Sequence, residues 1–445
     1  MNTHPACERA GAQDYLVSRR AAWFAYAMTI ALMLMDYIDR QVIVSLFPYM
    51  KHEWHLSDVQ LGSLVSVVSV TVALGALPVA LFADRVSRVR SIAAMAAVWS
   101  AATLSCMFMR GYGALLAARS LVGLGEAGYG SVGAALIASH FPGRLRGVLL
   151  AGFFACASVG SVLGVLLGGA IAAHWGWQAA FGVVGVPGLV LAGLYLLVRD
   201  YETVRLTPVL ERATRSSADA VHHIVQALTR SRTMLWVCIG GAAQLVVVSA
   251  VWSWMPSFLN RVHGLAPDQA ARHAAVVVLC GALGSVVWGA VADRAGQRRP
   301  SARLHAMAVL CTASMAVLSF AFGAGAGLGA PAQFALIATG SFLMTCTVGP
   351  VSAIVIDVIH PGVRATGSSV LALFQNLFGL ALGPVLAGAL SDAWGLPAAL
   401  AAVPCFALLA AAAFLAAART YAADMGRAAE PPAAERPHPL RAAQA

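Results

Sequence analysis

The sequence predicts an all-α membrane protein with twelve transmembrane helices in two pseudo-symmetric six-helix bundles. Three observations carry this: too little charge for a water-soluble fold, twelve apolar segments in two groups of six, and two halves that read as copies of one another. Of the 445 residues, 60% are hydrophobic and 11% charged, with a mean hydropathy of +0.77. Soluble domains carry about 25% charged residues. A spanning helix takes about 20 apolar residues, so the length accommodates roughly twelve spans and short loops.

The apolar segments run Ala22–Tyr49, Ser57–Ala83, Ser91–Met109, Tyr112–His140, Arg146–Ala173 and Gln178–Val198, then Thr233–Leu259, Gln269–Ala292, Leu304–Phe322, Pro331–Ile359, Ala365–Ser391 and Leu396–Ala418. This divides the chain into an N-terminal tail (1–21), a first bundle (22–198), a polar central loop (199–232), a second bundle (233–418) and a disordered tail (419–445). The first 21 residues lack a signal-peptide pattern. An even number of spans puts both chain ends on one side. Twenty-three arginines fall in the ends and loops of that side, against Lys51, Arg110, Arg261 and Arg272 on the other. Basic loops stay in the cytoplasm, so both termini are expected there, in the cell inner membrane. The net charge of +10 then reports topology, and no nucleic-acid partner is expected. The eight cysteines show no CxxC or CxH spacing, and seven lie in apolar runs. They read as small buried hydrophobes, with no metal site, disulfide framework or cofactor expected.

The repeat is visible residue by residue. "FADRVSRVR" matches "VADRAGQRR", with Asp84 and Asp293 separated by 209 positions. Pro142/Pro361, Gly164/Gly383, Gly169/Gly388, Trp175/Trp394 and Gly176/Gly395 are each 219 apart, the extra ten residues falling between Gly296 and Ala330. Two parallel repeats imply a substrate site between the bundles, near the membrane midplane.

On these residues the whole chain resembles the major facilitator superfamily of transporters. The loop after the second helix resembles that family's Asp-Arg signature, as Asp84-Arg85-Val-Ser-Arg88, and its copy as Asp293-Arg294-Ala-Gly-Gln-Arg298. An aspartate at a helix end suits the N-terminus of a helix in the other bundle, where the dipole favours an anion. Asp84 would meet the segment at 362–366 and Asp293 the segment at 143–147, forming a cytoplasmic gate with Arg85, Arg88, Arg294 and Arg298. The plainer reading is loop carboxylates neutralising adjacent arginines.

Charge inside a span costs several kcal/mol unless it is paired or wetted. The first helix carries Asp36, Asp39 and Arg40, and the fourth Arg119 and Glu126. Arg119 and Glu126, seven apart, share a helix face, and Gly123, Gly125, Gly128 and Gly130 admit another helix or a ligand. Arg119 also fits the superfamily's fourth-helix signature, where resemblance associates the arginine with proton coupling. The repeat-equivalent positions Val248, Ser249, Ala338 and Thr345 are uncharged. The first bundle is thus expected to handle ions, and the second to offer a neutral wall from Gln244, Trp252, Trp254, Thr345, Gln375 and Asn376. "DYIDR", "RSLVGLGEAGYG" and "HFPGRLRG" resemble the Spinster-like branch; the anion:cation symporter branch shares the Asp-Arg pair and "GEA" but continues differently from Gly128-Tyr129-Gly130. Both resemblances imply an arginine for the substrate's anion, here Arg40 with Tyr129 nearby, and carboxylates that titrate during transport, from Asp36, Asp39 and Glu126. The alternative for these charges is a static Asp36–Arg40 pair with Glu126 held by Arg119.

The run Gly160-x-x-x-Gly164-x-x-x-Gly168-Gly169 resembles an antiporter signature with Val165 in place of its proline, and reads on its own as helix packing. The functional expectation is a secondary active carrier, acting as a monomer, of a small carboxylate or lysolipid-like anion, coupled to protons. Alternatives are a multidrug/proton antiporter, disfavoured by two arginines in the cavity, and a non-transporting sensor. No nucleophile–base pair, metal-protease motif or phosphate loop suggests an enzyme.

Overall fold

The computed structural model describes residues 15, 17–199, 231–359 and 364–429, with the backbone alone at 77, 80–86, 298, 364–366 and 428–429. The expected N-terminal tail up to 14, most of the central loop (200–230) and the last residues (430–445) lie outside the described residues. Twelve described helices are long and apolar enough to cross a membrane: α1 Arg19–Trp54, α2 Asp58–Val86, α3 Arg88–Cys106, α4 Tyr112–His140, α5 Gly143–Trp175 and α6 Trp177–Tyr195, then α7 Arg232–His263, α8 Pro267–Arg298, α9 Ala302–Phe322, α10 Ala330–Asp357, α11 Gly367–Trp394 and α12 Leu396–Arg427. No strand occurs among the described residues. The chain is an all-α, multi-pass membrane protein of two six-helix bundles.

Local sequence sets the helix ends. Ser57 and Gln60 form a reciprocal capping box at the start of α2, each side chain accepting from the other's backbone N–H (3.2 and 2.9 Å). Gly176 and Gly395 close α5 and α11 at φ +84° and +83°, a conformation open to glycine at no steric cost. The two halves also break at matching points. α4 is interrupted just after Glu126, where Gly128 takes φ +82°; α10 is interrupted at Thr345–Thr347. Glu126 and Thr345 are repeat equivalents.

Within each bundle the backbones approach through small residues. A Cβ at Gly160 would lie 2.8 Å from Leu34 O, one at Gly164 2.6 Å from Ile38 O, and one at Gly168 2.6 Å from Val42 O, so this stripe of α5 packs on α1. The copy in α11 packs on α7, where a Cβ at Gly379 would meet Leu245 Cβ at 2.7 Å. Gly123 of α4 lies against Val68 and Thr71 of α2, and Gly125 against Trp99 of α3. Of the two occupants expected for these α4 glycines, the structure places helices there. α11 also holds a π-helical segment, Gln375–Leu380, with Ala381 N–H donating to Asn376 O at 2.9 Å.

Between the bundles, α2 lies along α11 and α5 along α8. Both pairs meet at the end away from the chain termini, called here the far side. There Gly62 lies against Pro384, Gly388 against Asp58 and Gly169 against Ala271. On the terminal side a Cβ at Gly143 or Gly147 of α5 would meet nothing within 4 Å. A side chain at the α5–α1 crossing therefore has nowhere to go. Gly164→Leu should lower the melting temperature by several degrees, matching about 1–3 kcal/mol of overpacking. Gly193→Leu, at an open position, should leave it unchanged in the same detergent melting assay.

Candidate functional site

The five intramembrane charges gather on the facing sides of α1 and α4, but the structure sorts them into two groups. Arg119 is paired with Asp39 (Nη1–Oδ1, 3.3 Å), and both are about 1% exposed. Thr103 of α3 donates to the other Asp39 oxygen at 2.6 Å. This group is enclosed and ties three helices together. The second group is Arg40 with Asp36 and Glu126. Arg40 Nη2 lies 3.0 Å from Glu126 Oε2 and Nε lies 3.4 Å from Asp36 Oδ2. The Arg40 side chain keeps 20% of its surface exposed while both carboxylates are buried. Its guanidinium stands 5.5 Å from the centre of the half-buried Tyr37 ring, within cation–π range.

The alternative pairing of Glu126 with Arg119 is not made. Seven residues span about 10.5 Å of helix at 1.5 Å each, and Asp39 reaches Arg119 from the next helix instead. Neither Glu126 oxygen has a hydrogen bond of good geometry, nor do Asp36 Oδ1 and Arg119 Nε. With every group ionised, the five residues carry three negative charges and two positive. Such a buried set is one charge out of balance, and buried groups of this kind are costly until neutralised.

Other expected residues sit as follows. Tyr129 is buried and donates to Thr29 O at 2.6 Å within the first bundle. Gln244 donates to Met344 O at 2.8 Å, Trp252 to Ser341 Oγ at 3.3 Å and Thr345 to Gly281 O at 2.7 Å. These three join α7, α8 and α10 within the second bundle. Trp254 is fully buried, donating to Pro384 O at 3.0 Å and packed on Phe47 of the first bundle at 5.3 Å. Gln375 and Asn376 are half-buried on the π-helical segment of α11. Asp84, Arg85 and Arg298 have no described side chains, and residues 360–363 lie outside the described residues. Arg88 bonds Ser139 Oγ at 3.4 Å in its own bundle. Asp293 is exposed and pairs with Arg303, also in its own bundle, at 3.4 Å; Arg294 is exposed. Among the described residues no three His, Cys, Asp or Glu side chains are grouped to hold a metal ion.

Sequence reasoning missed Tyr37 and Thr103, and it missed a far-side cluster around Asp58. The signal for Tyr37 was its place one turn before Arg40 in "DYIDR". A lone threonine in an apolar span such as Thr103 gives no such signal.

A fold of two six-helix bundles suits one family, and its sequence profile, described as the Major Facilitator Superfamily, matches residues 29–381. The chain belongs to the Major Facilitator Superfamily. Its relatives include members of the Spinster-like branch of these transporters. It is 27% identical over 392 residues to Protein spinster of Drosophila melanogaster, covering 84% of this chain and 62% of that protein. The chain thus spans less than two thirds of that relative's length. It is 26% identical over 421 residues to a gallate transporter of Pseudomonas putida, covering 86% and 90%. A bacterial homologue of the human lysosomal transporter Spinster, solved in an inward-facing, unoccupied conformation, superposes with a TM-score of 0.81 at 23% identity, covering 92% of this chain and 99% of that one.

Removing one member of a buried ion pair leaves the other uncompensated, at a cost of about 3–5 kcal/mol. Asp39→Ala should therefore sharply reduce the folded, monodisperse fraction in detergent. The double variant Asp39→Ala/Arg119→Met should recover most of it. Arg40→Gln should lose less than Asp39→Ala, because the buried Asp36 and Glu126 it leaves can each be neutralised by a proton whereas Arg119 cannot.

Proposed function

We propose that the chain is a proton-coupled carrier of organic anions. It works by alternating access in the inner membrane, with both termini in the cytoplasm. The observation that carries this reading is the Arg40 group: one partly exposed guanidinium held between two buried carboxylates, in a set one negative charge out of balance. One proton shared by Asp36 and Glu126 balances the set at rest. Arg40 then pairs with whichever carboxylate remains ionised. An incoming anion takes the guanidinium, and the released carboxylate takes a second proton, since a bare buried charge is far costlier than a neutral acid. A monovalent anion therefore travels with one proton, and the loaded site has the same net charge as the empty one. Neutral occupancy lets the bundles rock.

Asp39 and Arg119, enclosed and bonded to Thr103, hold α1 and α4 in the register that sets Arg40 opposite Glu126. Tyr37 offers a ring beside the anion, suited to an aromatic acid or the neck of an amphipathic lipid. Gln375 and Asn376 are the polar groups that the second bundle offers to the substrate. Gallate transport by one relative and the Spinster kinship of others support an organic or amphipathic anion as cargo. The same reading has Asp84 and Asp293 meet the segments at 362–366 and 143–147 when the terminal side closes. The exposed Asp293 and the uncrowded start of α5 suit the open condition of that gate.

Proteoliposomes under an imposed pH gradient test the reading, with gallate and lysophosphatidylglycerol as the two probes. At least one should accumulate against its gradient with the proton flow. Arg40→Ala should abolish that uptake. The double variant Asp36→Asn/Glu126→Gln should cut gradient-driven accumulation at least tenfold while leaving anion exchange measurable. Unchanged pH dependence in that double variant would remove the coupling role. Uptake of a hydrophobic cation in exchange for protons, with neither anion carried, would favour a drug antiporter.

A further inference from the structure

A second charged cluster lies outside the transport site, on the seam between the bundles. Asp58, the first residue of α2, is 3% exposed and is held from both sides. Arg261 of α7 grips it with two bonds, Nη1–Oδ2 at 2.7 Å and Nη2–Oδ1 at 2.9 Å. Lys51, the chain's single lysine, reaches Oδ1 at 2.5 Å, and Ser391 of α11 donates to Oδ2 at 2.5 Å. Next to Ser391, the Asp392 carboxylate accepts the backbone N–H groups of Asp58 (2.8 Å) and Val59 (2.9 Å). A carboxylate from the second bundle thus caps a helix of the first, where the dipole favours an anion. The four charged residues sum to zero. Beneath them Arg261 stands 5.7 Å from the Trp254 ring, which packs on Phe47 and closes the seam.

The other seam is built differently. Where α5 meets α8, Gly169 lies against Ala271, and Asp268 pairs with Arg272 on its own helix at 2.9 Å. The repeat equivalents of Asp392 and Asp58 are Ala173 and Pro267. Charge therefore joins the α2–α11 seam and small-residue packing joins the α5–α8 seam. Buried, charge-assisted bonds hold strongly while made, but both partners rehydrate once the seam parts, so such a joint opens reversibly.

We propose that Asp58 and Asp392 form an ion latch that keeps the far side shut, located at the α2–α11 seam only. The latch rests on the alternating-access reading but is read out without any substrate. Ser257 is fully buried and lies on α7 between Trp254 and Arg261, three and four residues away, on their helix face. With the native cysteines replaced and Ser257→Cys introduced, a bulky maleimide reaches that thiol only when the far side opens. In purified protein in detergent, Asp58→Asn and Asp392→Asn should each speed labelling at least tenfold, and Arg261→Gln should act alike. Asp268→Asn, at the other seam, should leave the rate unchanged. Rates within twofold of the parent in Asp58→Asn and Asp392→Asn would overturn the latch. Equal acceleration by Asp268→Asn would overturn its restriction to one seam. Should Asp58→Asn elute as aggregate, Arg261→Gln decides in its place. A carrier that labels as predicted yet moves neither anion would keep the latch and refute the transport reading.

Discussion

A guanidinium between two carboxylates inside a membrane is the constraint around which this protein is arranged. Lipid offers no solvation to Arg40, Asp36 or Glu126, so each must find its counter-charge in protein or in a wet cavity. Both carboxylates are buried against Arg40, which alone of the three keeps part of its surface free. That distinction between a reachable cation and sheltered anions gives the site its chemistry. The Arg119–Asp39–Thr103 group uses the same residue types for another purpose. Fully enclosed and more completely bonded, it ties α1, α3 and α4 together.

The repeat sharpens the division of labour. The second bundle reproduces the helix break at the Glu126 level, with Thr345 in place of the acid, and puts Ser249 where the first has Arg40. Thr345 bonds Gly281 O and Ser249 bonds Gly379 O, at 2.7 and 3.2 Å, so both hydroxyls are spent on joining helices. Among the described residues, the paired charges at the level of the helix break lie in the first bundle, and the second has neutral hydroxyls at the equivalent positions.

Much of this was legible in the sequence. Twelve spans follow from composition and length, because lipid leaves the backbone little alternative to helices. The two bundles follow from paired motifs at fixed offsets, and Gly176 and Gly395 appear in the structure with the same positive φ. The identity of the five intramembrane charges was equally plain. Their partners were not, because pairing is decided between helices whose rotation periodicity cannot set when every face is apolar. Arg119 was free on paper to reach Glu126 along its own helix; Asp39 from α1 is nearer in space. The neutral wall was also only partly readable. Gln244, Trp252 and Thr345 are polar residues in spans, but a buried polar group must be bonded, and theirs are bonded inside the bundle. Asp58 carried no signal in the sequence, since nothing local shows that Arg261 and Ser391, more than two hundred positions away, converge on it.

The proposed mechanism exchanges one ion pair for another, with a proton filling the gap that the anion opens. Its central claim is therefore a proton count. Calorimetric titration of the purified protein with the carried anion, in buffers of differing ionisation heat, measures that count directly. The account predicts uptake of about one proton per monovalent anion, abolished in the double variant Asp36→Asn/Glu126→Gln. An observed heat independent of buffer, with the anion still bound, would contradict it.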